Sequence, residues 1–397
     1  MANEALLQQK VKDLTDTLNF REPDKVPVGM GLCYWQFGYA GVKYEDIVDD
    51  PEATAAAHRK HLEDIEYDWS FLSNVIAIRV YESLGSKEYT FGSDRTTIQH
   101  NQTALNLMPP EEYDDLIKDY PKYMATKFLK RRFPVLFGDR KTAYEALKKL
   151  AVAQRTYMRI NALMNKEYLE KGVRPISTND PTYAPRWYSP LATIFTRLRG
   201  MSNSLIDLRK RPDQLRAAAE SILKHQVPVK PSTANPDAYL TRDPWPLSNT
   251  IYHCECFLSP PQFDEFFFKN FKTAALPFME KGARYFLKGE GNFLNTIDRY
   301  KELPKGSMAI LLDMDDPFEA YKHIGNYHTL IAGPACDLLK SGTKQQCIDY
   351  TKKCFDTFAP GGGYIFAPPT PFVSPVDANI ENVLAVYQFA NEYGKKK

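Results

Sequence analysis

The sequence predicts an α/β protein, a (β/α)8 TIM-type barrel with an N-terminal helical extension and insertions. Three observations lead there. The last third alternates apolar strand-like runs with helical segments, and such alternation pairs strands in parallel through right-handed crossovers. No strand is followed by Gly-x-Gly-x-x-Gly, which weakens the alternative of a doubly wound dinucleotide-binding sheet. The length of 397 residues suits one large barrel. Residues 1–397 are therefore read as a single domain, with 1–20 a helical extension and 88–140 a partly helical insertion.

Asn3-Glu4 followed by Leu6, Leu7, Val11, Leu14 and Leu18 reads as a capped amphipathic helix, a lid or clamp outside the main repeat that stops before Pro23. Lys25 to Leu32 is the first strand, and the aromatic stretch Tyr34 to Tyr39 is its exit loop. A helix over Pro51 to Asp64 and an apolar run from Trp69 to Ile78 continue the alternation. Lys141 to Lys171 is helical, and Arg174 to Asp180 is a strand ending in polar residues. Helices follow over Pro190 to Gly200 and Pro212 to His225, the latter favoured by Ala217-Ala218-Ala219. Five strands are expected over Thr250–Glu255, Ala283–Glu290, Met308–Asp313, Thr329–Ala335 and Gly363–Ala367. Helices at Pro261–Lys281, Phe293–Tyr300, Pro317–Ile324, Leu338–Phe358 and Asn379–Tyr393 separate or follow them. Gly361-Gly362-Gly363 precedes a strand, where a phosphate loop must follow one, so it reads as a turn.

Charge is balanced, with Lys+Arg at 51 against Asp+Glu at 49, which lacks the electrostatic footprint of a nucleic-acid binder. The basic cluster Lys127, Lys130, Arg131, Arg132, Arg140 and Lys141 reads as a solvated helix face. There is neither a membrane-spanning apolar stretch nor a signal-peptide pattern, and the six cysteines have no zinc-ribbon or Cys-x-x-Cys spacing. Reduced thiols and a cytoplasmic location are the expectation.

In a barrel, catalytic groups sit where strands end and loops begin. That rule selects Asn179 and Asp180, then His253, Glu255 and Cys256, then Lys288, Glu290 and Asn292, and then Asp313. In His253-Cys254-Glu255-Cys256, an extended strand would point His253 and Glu255 to one face, a pair suited to Zn²⁺ or to acid/base work. Hydrogen-bonded or buried structural roles compete with that reading. Glu290 lies between two glycines that let a ligand approach the backbone; an ion pair with Lys288 or a helix cap is its structural alternative. Tyr34, Trp35 and Phe37, with Tyr183, Trp187 and Tyr188, are placed to stack on a flat aromatic substrate or to fill the core.

These residues resemble the uroporphyrinogen decarboxylase superfamily, which includes corrinoid-dependent methyltransferases. The resemblance spans nearly the whole chain and rests on Arg21 to Val28, Gly200 to Pro212, Ser259-Pro260, Gly289 to Asn292, Ser341-Gly342-Thr343 and Asn379 to Gly394. It implies a (β/α)8 barrel with its cleft at the strand C-termini. The family's decarboxylases carry an Arg-Gln-Ala-Gly-Arg loop after the first strand; here aromatics replace its arginines. Its thiol-methylating members carry His-x-Cys-Gly and a later Cys, where this sequence has Lys288, Glu290 and Thr370.

What remains is similar to the branch that demethylates methoxylated aromatics and passes the methyl group to the cobalamin of a separate corrinoid protein. No cobalamin-binding Asp-x-His-x-x-Gly is present, so that resemblance implies a corrinoid partner. An aryl ether is a poor leaving group unless its oxygen is protonated or metal-bound. Two means are open: a neutral carboxyl among Glu290 and Glu255 donating a proton with His253, or a Zn²⁺ held by His253, Glu255 and Glu290. Tyr34, Trp35, Phe37, Asn179, Asp180, Tyr183, Trp187, Asn292 and Asp313 are the expected substrate-binding residues. A decarboxylase of the same superfamily and a non-catalytic aromatic-ligand-binding barrel are the alternatives.

Overall fold

Strands in the computed structural model are short, three to six residues in most cases, and almost all are parallel. The structure describes residues 2–71, 75–101, 104, 106–175, 189–226, 247–280 and 282–396. In chain order the strands are β1 (Gly29–Gly31), β2 (Trp69–Phe71), β3 (Tyr89–Phe91), β4 (Ile98–His100) and β5 (Arg174–Pro175). They continue as β6 (Leu247–Tyr252), β7 (Arg284–Gly289), β8 (Met308–Leu312), β9 (Thr329–Ala332) and β10 (Tyr364–Phe366). One sheet runs β1-β2-β5 and another β10-β9-β8-β7-β6. Parallel bridges Val28–Phe366 and Leu32–Phe372 join β1 to β10, so eight strands follow one continuous parallel order from β5 to β6. The antiparallel hairpin β3–β4 stands apart, inside the insertion expected over 88–140.

Helices are α1 (Ala2–Leu18), α2 (Pro51–Asp64), α3 (Arg140–Glu170), α4 (Met201–Lys210) and α5 (Pro212–Gln226). After them come α6 (Lys269–Met279), α7 (Pro317–Ile324), α8 (Lys344–Phe358) and α9 (Ile380–Tyr393). Their starts follow local chemistry. Asp50, Asp139, Asp316 and Asn379 each accept a backbone N–H at a helix start, and Thr343 with Gln346 makes a reciprocal cap on α8.

Alternation sorts the strand residues into two layers. Trp69, Phe71, Phe286, Ala309, Leu311, Ile331, Ile365 and Ala367 form an inner cluster together with Leu14 and Leu18 of α1, while Met30, Tyr285, Met308, Leu330 and Tyr364 face the outer helices. Helix α1 is therefore a plug on the inner layer, where the sequence suggested a lid or clamp outside the repeat. Its apolar residues Val11, Leu14 and Leu18 recur on one face and pack against the inner layer.

Several boundaries move. The expected helix over Leu338–Phe358 breaks at Gly342, where a Cβ would meet Leu338 O at 2.7 Å. The Gly361-Gly362-Gly363 turn has φ of +81, +80 and +77°, as only glycine readily adopts. Lys127 and Arg131 of the basic cluster are paired with Glu112, and Arg132 with Glu88. All six cysteines are free thiols, and no helix among the described residues is long and apolar enough to cross a membrane.

Candidate functional site

Register builds the site. Tyr252 of β6 pairs with Gly289 of β7, and Gly289 with Leu312 of β8, so the residues one step beyond, His253, Glu290 and Asp313, line up along the C-terminal edge. His253 Nδ1 lies 2.5 Å from Glu290 Oε2, and Lys288 Nζ donates to Glu290 Oε1 at 2.5 Å. Lys288 is buried, whereas His253 and Glu290 keep about a third of their side chains exposed, at 33% and 35%. One carboxylate thus sits between an imidazole and an ammonium, open to the cleft on one side.

Burial pushes the Glu290 carboxyl up, but the hydrogen bonds and charges of His253 and Lys288 outweigh it and bring it to about 2. The neutral, proton-donating Glu290 considered from sequence is therefore not what the geometry provides; it is an anion. Asp313 Oδ1 accepts the Gly291 N–H at 2.7 Å, and Asp315 accepts from Phe293 at 2.7 Å. Both carboxyls are raised by burial, against those N–H donors. They pin the loop that carries Glu290. Gly291 has φ of +115°, and a Cβ there would meet Cys256 Sγ at 2.6 Å.

The His-Cys-Glu-Cys segment does not continue the strand. β6 ends at Tyr252, and Glu255–Phe257 is a single tight helical turn, so the alternation that paired His253 with Glu255 does not apply. Glu255 is buried and turns back onto its own loop, where Oε2 accepts the Cys254 N–H at 3.0 Å and Oε1 has no hydrogen-bond partner among the described residues. The expected zinc triad of His253, Glu255 and Glu290 is not assembled. Among the described residues no group of three or more His, Cys, Asp or Glu side chains is arranged to hold a metal ion, and Lys288 takes the Glu290 oxygen that His253 leaves. These residues do not fit Zn²⁺.

Tyr34, Trp35 and Phe37 are also corrected. Residues Trp35–Tyr39 coil into a helical turn rather than an open loop, which turns the three rings inward, at 2%, 1% and 0% exposure. Tyr34 Oη accepts from Ile76 N–H, Trp35 packs against Phe372, and Phe37 stacks on Tyr44 at 4.6 Å. They are core. Asn179, Asp180, Tyr183, Trp187 and Tyr188 lie outside the described residues. Asn292 is exposed on the Glu290 loop.

Sequence reasoning places Lys288 among the strand-end candidates and as an ion-pair partner of Glu290, but does not carry it into the set of catalytic residues. The signal was available: Phe286, Lys288 and Glu290 share the phase of one strand, so an inward Phe286 places the other two inward as well. His100 is exposed at the end of β4 and lies within electrostatic reach of His253 and Glu290. Cys33 and Cys336, both pushed up to about 12 by burial, feel the Lys288 charge from the ends of β1 and β9. Beside Asp313 a cavity of about 720 Å³ opens over the ends of β8 and β9, lined by Met314, Phe318, Cys336, Tyr350 and Thr370.

No family model matches this sequence, and neither does any curated protein. Solved structures do match, 22 chains in all. One is a methyltransferase from Methanosarcina mazei, 15% identical, with a TM-score of 0.56 over 96% of this chain and 98% of that one. At that identity the likeness shows a shared fold, carried over nearly the full length of both chains.

Proposed function

We propose that this chain is a methyltransferase that takes the methyl group of a methoxylated aromatic compound and passes it to the cob(I)alamin of a separate corrinoid protein. The observation that carries the reading is the Lys288–Glu290–His253 array at the C-terminal edge of three adjacent parallel strands. The shared fold with a methyltransferase supports it, as does the family resemblance. The eight-strand order supports a closed (β/α)8 barrel, with β5 meeting β6.

When bound, the partner's reduced cobalt supplies the nucleophile for the methyl carbon. The chain's own task is at the oxygen. As the C–O bond breaks, its electron pair goes to the aryl oxygen, which needs a proton to leave as a phenol. Glu290 is ionised and has no proton to give. His253 hydrogen-bonds through Nδ1 to Glu290, which fixes the ring and leaves Nε2 to meet the substrate. In its protonated state His253 donates from Nε2 to the ether oxygen, and Glu290 keeps the ring oriented throughout. Lys288 holds Glu290 from the opposite side.

The test is anaerobic incubation with a reduced corrinoid carrier and a panel of methoxyarenes, following cobalt absorbance and phenol release together. Coupled loss of Co(I) and formation of phenol supports the reading, with His253→Asn abolishing both. Absence of transfer with an intact carrier removes it, and release of CO2 from carboxylated arenes would replace it with the decarboxylase.

A further inference from the structure

The opposite end of the sheet, away from the cleft, holds a layer of donors without acceptors. Thr17 Oγ1, Trp69 Nε1, Ser307 Oγ, Thr329 Oγ1 and Arg284 Nε are buried atoms with no hydrogen-bond partner among the described residues. Alternation places them together. Phe286, Ala309 and Ile331 are inner residues, and Arg284, Ser307 and Thr329 stand two positions before them, on the same face. Trp69 is itself an inner residue, and Thr17 lies one turn beyond Leu14 on the plug helix α1. Arg174 pairs in register with Trp69 on the neighbouring strand.

Trp69 Nε1 and Arg284 Nε can only donate, and the three hydroxyls are free to donate. Arg284 also donates to Asn19 Oδ1 at 2.7 Å and to the Gly306 carbonyl. Among the described residues no carboxylate pairs with it, and burial alone pulls its guanidinium below the ordinary value. Arg284 is half-buried with its Nε sealed from solvent, and a cation so placed on the same inner face as further unpartnered donors is costly until a counter-charge arrives. Space is limited: a Cβ at Gly29 would meet the Trp69 ring at 2.3 Å, and one at Gly363 would meet Phe20 at 2.7 Å. That favours a single-atom anion over phosphate.

We propose that this layer binds a chloride-sized anion, held by Arg284, Trp69, Ser307, Thr329 and Thr17, which fastens helix α1 to the sheet. Thermal unfolding of the full chain is followed while potassium chloride replaces potassium gluconate at constant ionic strength. The midpoint should rise by about 1.5 °C for each tenfold of chloride above its dissociation constant. Arg284→Met should lose the rise. So should the milder Ser307→Ala/Thr329→Val pair, with unchanged circular dichroism showing that it folds. Crystals soaked in bromide should show an anomalous peak beside Arg284 Nε. Coincident chloride and gluconate curves for the natural protein overturn the proposal, as does a rise retained in the Ser307/Thr329 pair. Bromide confined to the surface, an adventitious ion only, also overturns it.

Discussion

His253 Nδ1 and Glu290 Oε2 meet at 2.5 Å across the ends of two neighbouring parallel strands, β6 and β7. Because Lys288 takes the other Glu290 oxygen, each of the three side chains depends on the middle one. Glu290→Gln should keep the fold and cost at least about 100-fold in kcat, in line with loss of a group that orients a general acid. A variant with unchanged turnover would remove Glu290 from the chemistry.

Lys288→Met tests the same array by pH. With both partners Glu290 titrates at about 2, so it stays ionised through any practical assay range. A depressed carboxyl contributes stability above its unfolded value and loses it only as pH falls through the folded one. With one cation gone, the folded value moves up toward the ordinary carboxylate range. The acid limb of the kcat/KM profile should therefore shift upward in Lys288→Met; an unmoved limb would show that Lys288 does not act on Glu290.

Histidines buried as neutral rings predict acid sensitivity far from the cleft. His58 and His61 touch edge-on at 4.9 Å, and neither His58 nitrogen has a hydrogen-bond partner among the described residues. Burial pulls His61 to about 3, His328 to about 4, and His58 well below its usual range. Their unfolded value is near 6.5, so the stability they allow is complete above that pH and is lost as pH falls toward the folded values. Each contributes a slope of up to about 1.4 kcal/mol per pH unit. Unfolding midpoints measured from pH 7.5 to 5 should drop steeply, and His58→Phe should flatten the curve. A level curve in the natural protein would mean that the rings are already charged or solvated.

Trp35→Ala and Phe37→Ala separate core from pocket. As buried rings they should each cost about 3–5 kcal/mol in denaturant unfolding. Changed donor preference at unchanged stability would return them to the binding surface.

Asp207 is wholly buried and accepts from Arg199, Arg211 and Tyr113 at 2.7, 3.0 and 2.9 Å. Asp207→Asn should cost about 3–5 kcal/mol by leaving Arg199 uncompensated, with Asp207→Leu/Arg199→Met recovering part of it. Full stability in the single variant would show that water reaches Arg199.

Helices with strong local signals were the most legible part of the sequence. Pro51–Asp64 and Pro317–Ile324 have Asp caps and proline starts, and the structure reproduces both ranges. Strand ends were harder, because a strand's limit depends on its neighbour: β6 stops at Tyr252 where its pairing with Gly289 stops. That shift of a few residues took Glu255 out of the cleft and left His253 in it. The aromatic exit loop misled for a related reason, since nothing local in Tyr34 to Tyr39 shows which face the surrounding helices will cover. Glu290 stands out because its two flanking glycines mark it locally, whereas Lys288, named beside it at the strand end, could be given no place in the chemistry without a known inward phase for β7.

The bridges from Val28 to Phe366 and from Leu32 to Phe372 join segments from opposite ends of the sequence. Lys25 and Val26 are held the same way, by Asn391 and Gly394. During synthesis β1 therefore emerges with one edge lacking its eventual neighbour, and that neighbour appears only after the segments from β2 to β9 have been made. Contacts of such long sequence separation slow folding, and an unpaired edge recruits other chains meanwhile. Ribosome-bound lengths that stop short of Phe366 should accordingly depend on chaperones, a burden that lifts once the closing segment is released.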